Sequence, residues 1–251
     1  MTIHDAVHQW RPVADAFTNL RRDLGDLTSL DDALPRLTAA SVRLLPGAEH
    51  AAISRSSARS RYRFETVAAT SDLPPRVDRI QYELRHGPCV DAILDESVFR
   101  ADDLRADPRW PDFGKRAAEE TGVLSMLSFR FYFEDNPLIA GINFYATTPA
   151  AFTDVDEALG ELAATHGALA ITAARRHERA DNLERALQSN RDIGIAIGVL
   201  MSQHKVTKEQ AFDLLRIASQ HTNRKLRDLA LDVIDTGTID LPQLSGKRPS
   251  R

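Results

Sequence analysis

The sequence has little cysteine, few aromatic residues and no long apolar run. Its single cysteine, Cys89, excludes a disulfide within the chain and a cysteine-based zinc site. Aromatic residues make up only 6% of the 251 residues, too few for a surface built mainly to stack bases. No window reaches the ~18 apolar residues that a membrane span needs, and no signal peptide is visible. We therefore expect a cytoplasmic protein without a membrane partner.

Sequence motifs of common enzymes are also missing. There is no P-loop, no G-x-S-x-G elbow, no H-E-x-x-H pair and no G-x-G-x-x-G turn after a predicted strand. The eight histidines are scattered, and none lies at metal-ligand spacing beside a pair of carboxylates. We expect a protein that is not an enzyme and that carries no metal or other cofactor.

The charged residues are unevenly distributed along the chain. The formal net charge is −4, yet residues 189–251 contain 10 Lys and Arg against 7 Asp and Glu. A mildly basic C-terminal part on an acidic body is compatible with a nucleic-acid partner, and equally with an ordinary set of solvated helices.

The first 150 residues mix helical and strand patterns, which predicts an α+β fold. Apolar residues recur at helical spacing over 13–24 and 29–44, with Pro35 placed in the first turn of the second helix. β-Branched and aromatic residues dominate the runs 126–134 and 138–146, which turn residues separate. The other predicted elements are strands over 50–54 and 63–69 joined by a hairpin loop of sequence SRSSARSR, a helix over 87–97, a strand over 98–101 and a helix over 115–121.

A proline-free segment from 155 to 201 carries mostly apolar residues at alternating steps of four and three. This spacing predicts one long helix, or two stacked helices, in which the repeated positions form an imperfect coiled-coil seam. Asn190 would fix the register of two helices paired along this seam, whereas the polar residues His166 and Arg176 weaken the apolar pattern. We expect a homodimer through this helix; the alternative is a long helix that lies on its own domain.

The last part of the chain predicts three helices. The first continues through 191–203, the second begins after an N-cap at Thr207, and the third is capped by Asn223 and ends at Gly237. We expect residues 241–251 to form a flexible tail. The residues expected to face inward are Ala211, Leu214, Leu215, Ala218, Leu226, Leu229, Ala230 and Val233.

This C-terminal segment resembles the ANTAR family of RNA-binding antitermination modules over about residues 183 to 237. The resemblance implies a dimer that binds paired RNA hairpins in leader transcripts and so prevents terminator formation. Many members have a lysine where this chain has Ile197, so a phosphate contact made by that lysine would be absent here. The resemblance rests on Leu187, Arg191, Ile193-Gly194, Ala196, Gly198-Val199-Leu200-Met201, Thr207, Ala211-Phe212, Leu214-Leu215, Ser219-Gln220 and Asn223–Ala230.

Residues 28–175 resemble a GAF sensory domain more loosely. The resemblance is carried by helix 29–44, the strand at 51–54, the stretch QYELRHGPCVDAI (81–93), the loop 99–113 and the last two strands. It implies an antiparallel sheet flanked by helices, which holds a small-molecule ligand of unknown identity or serves dimerisation. The predicted organisation is an N-terminal helix (1–27), the GAF-like domain (28–175), a long connecting helix (155–201), an ANTAR domain (183–240) and the tail.

Cationic and amide side chains of the C-terminal helices are the candidate RNA-binding residues. Lysine and arginine neutralise phosphate, arginine can also stack on a base, and amides can bind base edges. The alternative is that these residues form only the solvated faces of helices. Ala196 and Gly198 permit close approach, with helix packing favoured over RNA. The candidate residues are Arg191, Lys205, Arg216, Ser219, Gln220, Asn223, Arg224 and Lys225.

The expected function is therefore signal-responsive antitermination by an RNA-binding protein. The alternatives are a DNA-binding transcription factor and a dimeric scaffold with a degenerate RNA surface. Cys89 lies beside Arg85 and His86, which could lower its thiol pKa and make it a redox sensor. The competing interpretation is that Cys89 is a small buried apolar residue.

Overall fold

The described part of the chain forms two compact units. A computed structural model describes residues 18, 19, 22, 24, 25, 29–57, 60–95, 98–131 and 139–239. The units divide between Glu178 and Arg179. Nearly all of the predicted N-terminal helix (1–27), the turn at 135–137 and the whole predicted tail (241–251) lie outside the described residues. The fold class is α+β, as predicted.

The first unit mixes helices and strands, and the second is helical. In chain order the elements are α1 (Leu30–Leu44), β1 (His50–Ser57), β2 (Ser60–Ala69), α2 (Leu73–Leu84), α3 (Pro88–Asp95), β3 (Phe99–Ala101), α4 (Pro111–Thr121), β4 (Ser125–Phe131), β5 (Ile139–Ala146), α5 (Asp154–His204), α6 (Lys208–Thr222) and α7 (Leu226–Thr236).

The strands of the first unit form one antiparallel sheet in the order β2-β1-β5-β4-β3. β5 lies at its centre, where Ile142 pairs with Ile53 of β1 on one side and with Phe129 of β4 on the other. Because neighbouring residues of a strand face opposite sides of a sheet, each of these strands presents residues to two different layers of helices.

One face of the sheet is covered by α1 and the beginning of α5, and it is apolar. Leu37 of α1 packs there with Phe129, Phe144 and Ile171. Gly160 lets α5 approach the sheet closely, since a Cβ at this position would lie 2.3 Å from the ring of Phe129. The opposite face carries a second core around Trp110 and Phe113, formed with α2 and α4.

Several predicted elements are confirmed with shifted ends. The helix over 29–44 forms, and the Ser29 side chain accepts a hydrogen bond from the Asp32 amide at 3.2 Å as its N-cap. Pro35 was expected in the first turn but is the sixth residue of α1. The helix predicted over 115–121 begins four residues earlier, because Pro111 occupies its first position, where a missing N–H costs nothing.

One prediction for the first unit is wrong, and one helix was not predicted. The segment SRSSARSR is mostly strand rather than a hairpin loop, since β1 extends to Ser57 and β2 begins at Ser60. Helix α2 was not predicted, and its second and third residues are Pro74 and Pro75. Both prolines lie in the first turn of α2, which tolerates them.

The segment predicted as one long helix or two stacked ones is a single helix, α5, of 51 residues.

Gly25 follows the predicted first helix, and its amide donates to the carbonyl of Arg22 at 3.3 Å. No helix within the described residues is both long and apolar enough to cross a bilayer.

Candidate nucleic-acid interface and buried polar cluster

The second unit is a small helical module with an aliphatic core. The end of α5 contributes Ala196, Ile197 and Leu200, and these pack against residues of α6 and α7. Ile197 is only 8% exposed. It is therefore a core residue, and the lysine of related sequences has no counterpart on the surface here. The α6 and α7 residues in this core are Ala211, Leu215, Ala218, Leu229, Ala230 and Val233, while Leu214 and Leu226 are half-buried.

Local hydrogen bonds fix where α6 begins. The Thr207 hydroxyl accepts from the Gln210 amide at 3.3 Å, and the Gln210 side chain accepts from the Thr207 amide at 2.9 Å. This reciprocal pair is a capping box, and it confirms Thr207 as the predicted N-cap. Lys205, which has a positive φ of 55°, lies exposed in the turn before it.

The turn between α6 and α7 brings four candidate residues together. Asn223 ends α6 in the left-handed conformation, with φ 53°, which asparagine tolerates better than most residues. The Ser219 hydroxyl donates to the Arg224 carbonyl at 2.6 Å. The prediction that Asn223 caps the third helix is wrong, since α7 begins at Leu226 with Lys225 at its N-cap.

Arg224 and Lys225 are the cations of this turn. Both are exposed. The Arg224 guanidinium donates to the Asp232 carboxylate at 2.6 Å, and this hydrogen bond raises the pKa of Arg224 further. Lys225 makes no ion pair with a described residue. No side chain caps the N-terminus of α7, where the backbone amides of Asp228 and Leu229 donate to the Lys225 carbonyl and the first turn carries the acidic Asp228.

Helix α6 presents further candidates on its exposed side. Arg216 pairs with Asp213 at 2.9 Å, and Gln220 lies one turn further along. Phe212, which the sequence analysis did not select, is 41% exposed, one turn before Arg216. The signal was available in the spacing: Ala211, Leu215 and Ala218 define the buried face, and Phe212 falls to one side of it.

Arg191 lies on the exposed side of α5, away from the module core. Gly194 and Gly198 lie on the same side, and a Cβ at either would meet open space. Packing within the module therefore accounts for Ala196, as expected, but not for Gly198. Among the described residues, no hydrogen bond or ion pair joins Arg191 or Lys205 to the turn between α6 and α7.

A buried carboxylate ties α5 to α7. Asp192 is 5% exposed, accepts a hydrogen bond from Gln188 at 2.8 Å and pairs with Arg227 at 3.5 Å. Arg227 is a further cation of this module. Its position beside a buried carboxylate gives it a structural role in holding the helices together.

The first unit holds a cluster of buried polar side chains between the sheet and helices α2 and α3. Its centre is Asp78, which is fully buried. Thr66 donates to the Asp78 carboxylate at 2.7 Å and Tyr145 donates at 2.5 Å. Burial raises the pKa of Asp78 to about 6, although hydrogen bonds from Tyr145 and Thr66 oppose the change.

The cluster continues through Ser54, Tyr82 and Asn143. Tyr82 donates to the Ser54 hydroxyl at 2.7 Å, and the Asn143 amide donates to the same oxygen at 3.0 Å. The side-chain carbonyl oxygen of Asn143 is buried and has no hydrogen-bond partner within the described part of the chain. Such an unsatisfied buried acceptor is energetically costly.

Cys89 belongs to this cluster and does not have the properties of a redox sensor. Its thiol is fully buried and accepts from Asn143 at 3.0 Å. Burial raises the pKa of the Cys89 thiol well above its usual value, and the Asp78 carboxylate adds to this effect. The interpretation of Cys89 as a buried apolar residue therefore accounts better for its surroundings.

Metal binding has no support from the geometry. Within the described ranges, no three His, Cys, Asp or Glu side chains are grouped as a metal ion would require. Hydrogen bonding and charge are therefore the interactions that the two candidate sites offer.

Comparisons with solved structures identify the fold of the first unit. The GAF domain of a phosphoenolpyruvate-protein phosphotransferase from Acinetobacter is 12% identical, with 66% of this chain aligned to 96% of that one at a TM-score of 0.51. The corresponding domain from Coxiella burnetii is 15% identical and aligns over 66% and 96% at 0.50. Free methionine-R-sulfoxide reductase from Neisseria meningitidis is 14% identical and aligns over 64% and 89% at 0.51. No curated protein matches the chain.

Family models assign both units. The model of the GAF domain matches residues 28–172, which is more than half of the chain, and the model of the ANTAR domain matches residues 181–234. The first match covers the sheet and its helices, and the second covers the module with the candidate RNA-binding residues. The chain belongs to the family of proteins that join a GAF domain to an ANTAR domain.

Proposed function

We propose that this protein is a signal-responsive RNA-binding regulator that acts by transcription antitermination at paired hairpins in leader transcripts. An ANTAR domain is an RNA-binding antiterminator module and a GAF domain is a signal-sensing domain. The observation that carries the proposal is the continuity of α5, from Asp154 to His204. This helix packs on the GAF sheet at one end and forms part of the ANTAR core at the other.

The turn between α6 and α7 is the proposed phosphate-binding part of the RNA surface. Arg224 and Lys225 are exposed there beside the uncapped N-terminus of α7. Cationic side chains and the free amides of a helix N-terminus both favour an anion, and RNA supplies one at every nucleotide. Arg191, Lys205, Arg216 and the amides of Gln220 and Asn223 extend the surface along the module.

The proposed active form is a homodimer through α5. Leu183 and Leu187 are each 62% exposed and lie one turn apart on the helix. Leu169 and Val155 are similarly exposed on the GAF part of the helix. Complete burial of a leucine stabilises an interface by roughly 1.5–3 kcal/mol, so a paired seam of such residues supports association. Two ANTAR modules in one dimer match two hairpins in one transcript.

The buried polar cluster around Asp78 is the proposed sensing site for a small molecule. Three residues of the cluster lie on strands β1 and β5: Ser54, Asn143 and Tyr145. Their neighbours along the same strands, Ile53, Ile142 and Phe144, face the opposite side of the sheet and pack in the core with α1 and α5. A ligand that binds one arrangement of this cluster more tightly would shift the strands and, through them, the packing of α5. The unsatisfied Asn143 oxygen supplies a hydrogen-bond acceptor for such a ligand.

The function is tested by RNA selection followed by a transcription assay. The full-length protein is incubated with a pool of tandem RNA hairpins whose loop nucleotides are randomised, and bound RNA is sequenced. The selected hairpins are then compared with duplex DNA in gel shifts, and are placed before a terminator in transcription in vitro. We expect enrichment of particular loops, preference for the hairpins over DNA, and more read-through when the protein is added.

Each alternative predicts a different outcome of these assays. A DNA-binding factor would shift duplex DNA at lower concentration than the hairpins. A scaffold with a degenerate RNA surface would enrich no loop sequence and leave read-through unchanged. We also propose that the protein acts by binding alone, without catalysis, so the selected RNA should be recovered chemically intact after prolonged incubation.

A further inference from the structure

Phe212 is an aromatic side chain placed where the fold of the ANTAR module does not need it. It is the only Phe, Tyr or Trp in the sequence after Phe152. The buried core of the module is built from alanine and aliphatic residues, while Phe212 is 41% exposed on α6. The single aromatic ring of this region therefore offers a partly free face to a partner.

Two cations flank Phe212 on α6. Lys208 and Arg216 lie four residues before and after it, and residues at that spacing are adjacent on a helix surface. Ser219 and Asn223 follow seven and eleven residues after Phe212 on nearly the same side of the helix. Phe212 thus lies between two cations, in line with the turn that carries Arg224.

Charges of both signs occur along α6 near Phe212, since Glu209 lies three residues before it and Asp213 directly follows it. Asp213 pairs with Arg216 at 2.9 Å, an exposed ion pair that contributes little energy and is readily exchanged. Glu209 lies in the first turn, where the backbone amides of the helix lower its pKa. Lys208 makes no ion pair with any residue of the described ranges, so its ammonium group is available to a phosphate.

We propose that Phe212 stacks against one unpaired base in the loop of the RNA hairpin, while Lys208 and Arg216 contact the phosphates on either side of that nucleotide. An aromatic face accepts a base that has left its stack, and cations flanking the ring match the charged backbone that continues from it. Bases inside a duplex cannot reach the ring, so the site selects loops. This inference rests on the proposed RNA-binding function and adds a residue that contacts the loop.

The test uses the full-length protein and a hairpin recovered in the selection described above. Phe212→Ala should weaken hairpin binding about 5- to 150-fold, the loss typical of one stacked base. Phe212→Leu should weaken binding similarly because it keeps an apolar side chain without the ring face, and Phe212→Tyr should keep most of the affinity. Ile217→Ala is the matched control, since Ile217 is 42% exposed on another side of α6; its hairpin affinity should remain that of the wild type.

Altered RNA identifies the nucleotide that stacks. Hairpins that lack the base at a single loop position are compared, and wild-type affinity should fall at the one position whose base stacks. For the hairpin without that base, Phe212→Leu should bind as tightly as wild type. A 2-aminopurine at the same position should lose fluorescence on binding the wild type, and less on binding Phe212→Leu. Thermal unfolding and sedimentation of each variant check the fold and the oligomeric state.

The outcomes separate this inference from the function on which it rests. If the wild type selects no hairpin, the RNA-binding function itself is wrong. If the wild type binds and Phe212→Ala, still folded, binds equally well, only the stacking role is overturned. A change of oligomeric state in Phe212→Ala would also overturn it, because the ring would then contact a second copy of the chain.

Discussion

Replacing Asp78 by asparagine should change how the stability of the GAF unit depends on pH. Asp78 is fully buried, and its carboxylate accepts hydrogen bonds from uncharged donors: Ser54, Thr66, Tyr145 and the Gln81 amide. Burial raises the pKa of Asp78 to about 6. Tyr82, Tyr145 and Cys89 also belong to the cluster, and each has its pKa raised by burial, so Asp78 is the cluster member that titrates near neutrality.

The sign of the effect follows from the direction of the pKa change. A carboxyl with a folded-state pKa of about 6, against a usual value of 3.8, holds its proton more tightly in the folded protein. Its contribution to stability is therefore full at pH below ~4, declines as the pH rises to about 6, and is lost above that. At ~1.4 kcal/mol for each pKa unit, the loss amounts to about 3 kcal/mol in the free energy of unfolding.

The assay compares wild type and Asp78→Asn at several pH values between 4 and 7.5. Urea unfolding is followed by tryptophan fluorescence in a Trp10→Phe background, so that Trp110, which is 1% exposed, reports on the GAF unit. Asparagine has no carboxyl proton to lose. The free energy of unfolding of Asp78→Asn should therefore rise relative to wild type by about 2 kcal/mol between pH 4 and pH 7, less than the full amplitude because the Asp78 carboxyl of unfolded wild type is already partly ionised at pH 4.

The contributions of the other carboxyl groups cancel when the free energy of unfolding of wild type is subtracted from that of Asp78→Asn. Burial opposes ionisation of Asp156, but hydrogen bonds from Thr153 and Gly47 hold its pKa below the usual value. Its contribution has the opposite pH dependence, and both proteins share it. A stability difference that stays constant from pH 4 to pH 7 would refute the reasoning, since the pKa of Asp78 would then be the same in the folded protein as in the unfolded chain.

Three further predictions concern the helices and the sheet. Leu183→Asp with Leu187→Asp should convert the proposed dimer to a monomer in sedimentation; a dimeric double variant would place the interface elsewhere. Arg224→Ala with Lys225→Ala should weaken binding of the selected hairpins and reduce the slope of log affinity against log salt by about 0.7–0.9 per lost phosphate contact. Gly160→Ala should destabilise the GAF unit by about 1–3 kcal/mol in urea unfolding, because the new Cβ would meet the Phe129 ring.

Matched variants isolate the cause in two of these cases. Arg105→Ala with Lys115→Ala removes the same charge from exposed positions of the GAF unit, so equal loss of RNA binding there would indicate a nonspecific charge effect. Gly194→Ala adds a Cβ in open space on α5. It should stabilise the helix by up to about 1 kcal/mol, and a destabilisation as large as that of Gly160→Ala would contradict the packing argument.

Local signals predicted two of the helix ends in the ANTAR module but did not predict the polar cluster. Thr207 and Gly237 mark helix ends through their own backbone and side-chain chemistry, so the sequence predicts them directly. Ser54, Asp78 and Asn143 meet only because β1 pairs with β5 and α2 packs on the sheet. Ser54 and Asn143 are 89 positions apart in the chain, and no local pattern indicates that they share a site.

Phe212 was missed for a different reason. The predicted inward residues Ala211, Leu215 and Ala218 already place Phe212 to one side of the buried face, but a large aromatic residue in an amphipathic helix is ordinarily assigned to the core. Asn223 was assigned to the wrong helix because asparagine suits both an N-cap and a left-handed C-cap. Its φ of 53° identifies the C-cap.

Ile197 offers a test of whether a family residue can be restored to this chain. Lysine at position 197 would replace a side chain that is 8% exposed in the module core, and an unpaired buried ammonium group is strongly unfavourable. Ile197→Lys should therefore lower the free energy of unfolding of the module. The expected loss is about 2–5 kcal/mol, the range found when a buried isoleucine is truncated. Ile195→Lys is the control. Ile195 lies two residues earlier and is 45% exposed, so this substitution adds the same charge at the surface. The contrary outcome is a stable Ile197→Lys protein that binds the hairpins more tightly than Ile195→Lys. The lysine would then reach RNA from position 197, and Ile197 would not be a core residue in the RNA-bound protein.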